Sequence, residues 1–188
     1  MCGSLCAATQ WRGHNTLSRE DELLEKLDEC ENATAFLQVS NKIINLKLKA
    51  LLPKVFVQDD LVKEYAVDPL LKEDGPLATT DVVSKLMFAM GKISLETYAD
   101  IGLYDQVLEY VVSQPEKVEF ADDVIYDFIK NQAVLSSQQD SFYLESINQL
   151  KFSSFESFSQ MRYESLIKTV LKLSCEMLIE RIEGEINQ

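Results

Sequence analysis

The chain has 188 residues, 46% of them hydrophobic, with 31 acidic against 18 basic side chains and a formal net charge of −13. That length suits one domain with a self-standing apolar core, and only 6 Gly and 4 Pro exclude collagenous or largely unstructured chains. A sequence pI of about 4.5 opposes DNA binding by the chain alone, because neutralising phosphates calls for clustered Lys and Arg.

Residues 1–17 contain no Asp or Glu and no apolar period, which marks a loose arm or an N-terminal extension. Residues 18–188 are expected to form a single helical domain. Ser18 with Asp21 resembles a capping box, and Leu23, Leu24 and Leu27 form the first apolar stripe. Asn32 can cap a second helix, in which Phe36, Val39, Ile43, Leu46 and Ala50 recur at helical spacing until Pro53. Asp59 or Asp60 starts a third, through Leu61, Val62, Tyr65 and Ala66, which should stop before Pro69.

After a turn-rich connection, Thr79, Thr80 or Asp81 caps a fourth helix. Its expected buried face is Val82, Leu86 and Ala89-Met90, with Gly91 as the stop. Ser94 opens a fifth helix to about Ser113, and Gly102 inside it implies a close helix crossing, since Gly otherwise weakens a helix. Asp122 or Asp123 starts a sixth with Val124, Ile125, Phe128 and Ile129 inward; a short amphipathic helix follows through Phe142, Leu144 and Ile147. From about Ser153 towards Gly184 one long helix carries Phe155, Phe158, Tyr163, Leu166-Ile167, Val170, Leu173, Met177-Leu178 and Ile182. Part of its face is expected to meet another subunit. The fold class is therefore all-α: an antiparallel helical bundle of about seven to eight helices with a long C-terminal helix.

Motifs for chemistry are scarce. Cys2, Cys6, Cys30 and Cys175 form no C-x-x-C pair, and the one histidine, His14, falls in the N-terminal arm, so neither a metal site nor a Cys-His or Ser-His pair is expected. No phosphate-cradling glycine loop occurs. No cofactor is implied. Without a secretory pattern, the expected compartment is the cytoplasm. Glu73-Asp74 and Asp122-Asp123 read as turn and helix-start chemistry. Tyr65, Tyr98, Tyr104 and Tyr126 need hydroxyl partners where buried, and Asp68, Asp100, Asp105 and Asp127 are the nearby acceptors. The basic run Lys42, Lys47, Lys49 and Lys54 reads as a solvated face, with a phosphate-contacting face as the alternative.

The segment Tyr65-Ala66-Val67-Asp68-Pro69-Leu70-Leu71, then Gly75-Pro76-Leu77, Leu86 and Gly91-Lys92-Ile93, resembles the bacterial mannitol operon repressor family. The likeness continues through Tyr98-Ala99-Asp100-Ile101 and Phe120-Ala121-Asp122-Asp123 to Asp127-Phe128, spanning roughly residues 20–180. The resemblance implies an all-helical cytoplasmic transcriptional regulator that lowers expression of mannitol uptake and utilisation genes. It also implies no DNA-reading module, which agrees with the charge and with the missing basic recognition helix. The expected mechanism is indirect: contact with another regulator or a sugar-transport component, with no membrane involvement. Pro69, Gly75 and Pro76 are expected to shape the turn between helices, Gly75 by permitting positive φ. The functional alternative is a polar groove for a partner or ligand, drawing on Tyr65, Asp68, Asp74, Gly75, Lys85, Lys92, Tyr98 and Asp122. The rival to a regulator is an acid-base enzyme of hydro-lyase type acting on a small dicarboxylic acid, which would need Lys85 or Lys92 in a pocket with Tyr98 and Asp122. Direct DNA binding by an oligomer that gathers the Lys42 to Lys54 faces is a third alternative.

Overall fold

The computed structural model describes residues 19–56, 59–72, 74–136, 141–151 and 158–187. The N-terminal arm with His14, Cys2 and Cys6, the Ser18 cap, Glu73, and Ser153 with Phe155 lie outside the described residues. So do the side chains of Asp21 and Phe158.

Helices form wherever an apolar period meets a capping residue. α1 (Arg19–Glu29) leads to α2 (Ala33–Leu51), whose cap Asn32 accepts from the Ala35 N–H at 2.9 Å. The first two N–H groups of α2, on Ala33 and Thr34, donate to the Val118 carbonyl, and Val118 N–H returns a bond to Thr34 Oγ1. A distant loop thus satisfies groups that a helix start leaves unpaired. Pro53 lies in a 3-10 turn (Leu52–Val55) that closes α2.

The third predicted helix runs further than expected. Asp59 caps α3 (Asp60–Val62), a π turn (Lys63–Val67) follows, and α4 (Asp68–Leu70) carries Pro69 inside it. The wider π register, with Asp68 N–H bonded to Lys63 O, is a common way to admit an extra residue to a rod. Pro69 then sits in the first turn of α4, where a missing N–H costs little. Val67 of the rod is buried, but its other apolar residues turn outward: Leu61 is 66% exposed and Tyr65 75%. Gly75 does not adopt positive φ either. Its role is close approach, because a Cβ there would lie 2.4 Å from the Leu70 carbonyl oxygen.

α5 (Thr80–Ala89) buries Thr80, Val83, Ser84 and Met87, while Val82 and Met90 are exposed and Leu86 is half-buried. The expected face was one residue out of phase, since apolar residues line both candidate faces. Gly91, at φ 67°, ends it: Gly91 N–H bonds Phe88 O and Lys92 N–H bonds Met87 O, a Schellman closure. α6 (Leu95–Ser113), α7 (Asp123–Lys130), α8 (Ser141–Lys151) and α9 (Phe158–Ile186) complete the fold. Counted with α3, the π turn and α4 as one rod, the described residues hold eight helices and no strand. The class is all-α, with a long last helix. None of these helices is long and apolar enough to cross a membrane.

Around α9 the core closes. Its Ile167, Val170, Leu171, Cys175, Leu178 and Ile182 are buried within this chain. α6 runs antiparallel to it: Tyr104 O–H pairs with Ser174 O–H at 2.9 Å, Asp100 faces Arg181 at 3.6 Å, and Glu185 accepts from Ser94 N–H and Thr97 O–H. α2 runs with α9, linked by Ser40 beside Cys175 and by the Lys47–Glu183 ion pair. α1 is held to α9 by Lys168, which donates to the carbonyls of Asp28 and Cys30, and by the Lys172–Asp28 pair at 2.6 Å.

The tyrosine hydroxyls choose different partners from those expected: Tyr104 uses Ser174, and Tyr126 donates to Asn148 at 2.7 Å. Asp100 is buried for another purpose. It accepts the N–H groups of Ala133 and Val134 at 2.7 and 2.8 Å, fixing the 3-10 turn (Ala133–Leu135) against α6.

Two stability measurements follow from these contacts. Gly91→Ala forces an L side chain into the left-handed region and should cost about 1 kcal/mol in urea unfolding. Asp100→Ala strips two buried N–H groups of their acceptor and should cost roughly 3 kcal/mol, accompanied by faster amide exchange at Ala133 and Val134.

Candidate functional site

A groove of about 670 Å³ lies between α2, α5 and α6. α2 contributes Asn41 and Asn45, one helical turn apart. α5 and its approach contribute Thr79, Thr80, Asp81, Ser84 and Lys85; α6 contributes Tyr98, Gly102, Asp105, Gln106 and Glu109. On α6 the positions 98, 102, 105 and 109 fall at helical spacing on one stripe. No close crossing covers Gly102, and a Cβ built there would meet nothing within 4 Å. The residue leaves the groove floor open instead.

Internal bonds set the walls. Asn41 Nδ2 donates to Asp105 Oδ1, and Asn45 Nδ2 donates to Thr80 Oγ1 at 2.8 Å, so α2 is fixed to both other helices. Lys85 Nζ bonds Asp81 at 2.7–2.8 Å, and that bond raises the pKa of the ammonium, so Lys85 does not serve as a base near neutral pH. Tyr98 stacks on Phe88, ring centroids 4.9 Å apart and planes 4° off parallel. Burial pushes the Asp105 carboxyl above the usual carboxylate range, against the Asn41 bond, which lowers it.

Of the residues read from sequence as a polar groove, the structure brings Lys85 and Tyr98 together here. Tyr65 and Asp68 lie on the rod, and Asp74 and Gly75 on the turn leading to Thr79. Asp122 lines a separate cavity of about 450 Å³ with Tyr110, Gln114 and Lys117, and its carboxylate accepts from Glu119 N–H. Lys92 follows the Schellman turn and lines neither cavity. The sequence reading missed Asn41, Asn45 and Gln106, and it took Asp105 for a tyrosine acceptor, with a polar ligand pocket as the alternative. The available signal was polar side chains at spacings of three and four beside the buried face of α2 and α6.

Other reactive groups are muted. Burial raises the Cys30 thiol and pushes Cys175 up to about 12, so both are protonated near neutral pH. Among the described residues, no three His, Cys, Asp or Glu side chains converge as metal ligands.

A family model described as "Mannitol repressor" matches residues 19–183. Fumarase E of Escherichia coli K12 is 36% identical over 156 residues, covering 82% of this chain and 91% of that protein. The mannitol operon repressor of the same strain is 27% identical over 167 residues, covering 89% and 84%. Among solved structures, a possible transcriptional regulator, YggD from Shigella flexneri, superposes with a TM-score of 0.78 at 31% identity, covering 94% of this chain and 99% of that one. The MtlR-HPr complex from Escherichia coli gives a TM-score of 0.70 at 26% identity, covering 87% and 97%.

The raised Asp105 carboxyl has a consequence for stability. It binds its proton more readily folded than unfolded, so its contribution is greatest below the ordinary carboxylate range and is lost as pH rises through the raised value. Asp105→Asn should therefore gain stability relative to the parent protein as pH rises from about 4 towards neutrality. Urea midpoints of both proteins across that range check the sign.

Proposed function

The chain belongs to the mannitol repressor family, and on that premise we propose that it lowers gene expression in the cytoplasm by holding another protein rather than by reading DNA. Residues 18–188 act as one unit in this reading. The partner is a regulator or a sugar-transport component, HPr being the first to test because a relative at 26% identity is solved with it. Mannitol uptake and utilisation genes are the targets, in keeping with the operon repressor among its relatives.

The observation that carries the proposal is where the cations go. Lys47 pairs with Glu183, Lys85 with Asp81, Lys151 with Asp123 and Lys172 with Asp28; Lys168 is committed to two carbonyls and Arg181 faces Asp100. Six of the 18 Lys and Arg side chains are thereby committed to internal contacts, and with a net charge of −13 the chain offers phosphates little to bind. Its field instead favours a basic protein face. Within the basic run Lys42, Lys47, Lys49 and Lys54, Lys47 is bound to α9.

A second reading has its own support in the 36% identity to fumarase E. An enzyme of that class adds water across a carbon–carbon double bond of a dicarboxylate, which requires cations for the two carboxylates and a proton donor and acceptor. The groove holds Lys85 and Tyr98, but Lys85 is paired with Asp81, and Asp105 and Glu109 line the same groove. Net negative charge opposes a dianion.

Three measurements separate these readings. In a low-salt gel shift the purified protein alone should show no operator-selective binding, whereas immobilised protein should retain HPr. Tight operator-selective binding without a partner, or failure to retain HPr or any other regulator from mannitol-grown cells, would overturn the regulator reading. Fumarate consumption followed by ultraviolet absorbance should stay at background; brisk turnover abolished by Lys85→Ala would install the enzyme reading in its place.

A further inference from the structure

We propose that the groove between α2, α5 and α6 binds a neutral polyhydroxylated molecule, a sugar or sugar alcohol, through the planar side chains of Asn41, Asn45, Asp105 and Gln106. The inference rests on the groove's own chemistry and not on the partner reading above.

Three observations carry it. The first is the donor set. Amides and carboxylates are planar groups that can take two adjacent hydroxyls at once, and six such side chains line this one cavity: Asn41, Asn45, Asp81, Asp105, Gln106 and Glu109. A polyol offers donors and acceptors on every carbon, which suits walls that mix amide N–H, amide carbonyl, carboxylate and hydroxyl.

Preorganisation is the second. Asn41 and Asn45 each spend one N–H on a neighbouring helix, on Asp105 and on Thr80, and that bond fixes the amide plane. Each amide retains a second N–H and a carbonyl oxygen for a ligand. Tyr98, stacked on Phe88, adds a supported aromatic surface for the C–H side of such a molecule.

Charge and room form the third. Lys85 is the one cation among the lining residues and is neutralised by Asp81, so a phosphate ester or a dicarboxylate finds no counter-charge and meets Asp105 and Glu109. A polyamine would find Glu109, but Asp81 is already paired with Lys85 and Asp105 is bonded to Asn41, and the other lining groups are neutral. The cavity, about 670 Å³, falls within the roughly 300–1,000 Å³ usual for small-molecule sites, and Gly102 keeps its floor clear.

The test is an NMR titration of the isotope-labelled full chain. The probes are mannitol, sorbitol and glucose as neutral molecules, the phosphate ester of mannitol and fumarate as anions, and spermidine as a cation. At least one neutral probe should give saturable shifts of the Asn41, Asn45 and Gln106 side-chain amides, with the anions and spermidine at least about tenfold weaker. Gly102→Leu fills the groove without removing any of its hydrogen bonds and should abolish those shifts while circular dichroism and melting temperature show the fold retained. Gln106→Ala should weaken binding several-fold. Saturation by none of the neutral probes, tighter binding of an anion or of spermidine, or shifts that survive Gly102→Leu would each overturn the proposal.

Discussion

The polar seam between α6 and α9 is the constraint on which the rest of the fold depends. Apolar packing brings these two helices together but is indifferent to small slides along the axis. Hydroxyl and carboxylate contacts are not: Tyr104 must meet Ser174, Asp100 must meet Arg181, and Glu185 must reach Ser94 and Thr97. A shift of one residue would leave several buried polar groups without partners, at a cost of about 1–3 kcal/mol each. With the register of α6 set, Asp105 meets Asn41, and the relation of α2 to α6 follows. The groove walls are therefore a secondary product of a seam on the opposite side of α6.

Electrostatics divides the molecule in a related way. The named cations serve as struts between elements distant in sequence: Lys172 to Asp28, Lys47 to Glu183 and Lys151 to Asp123. Exposed pairs of this kind add little to stability singly. Their larger effect is on the field of the whole molecule, which carries a net charge of −13. A field of that sort sets encounter rates and excludes partners of like charge.

Much of the fold was legible because helix ends are local. Asn32, Asp59, Ser94, Asp122 and Gly91 each act within a few residues of their place in the chain, so their types and spacing announced them. The α5 face was misread for a physical reason: Val82, Leu86 and Met90 offer a stripe as regular as Val83 and Met87, and only neighbouring helices decide between them. Pro69 was read as a stop because a π turn that admits it leaves no mark in the apolar pattern. The site was less legible still. Asp100 resembles a surface acid until the N–H groups of Ala133 and Val134, more than thirty residues away, are placed against it. Asn41 and Asp105 have no local reason to be paired, and Gly102 implied contact where the structure has open space.

The placement of α9 also bears on how the protein is made. Every element α9 packs against, from α1 to the 3-10 turn and α8, precedes it in the chain. A polypeptide leaving the ribosome N-terminus first therefore exposes the apolar inner sides of α2 and α6 until α9 has cleared the exit tunnel. A segment holding α1–α8 without α9 leaves those apolar sides uncovered, and the core closes only once α9 has been delivered.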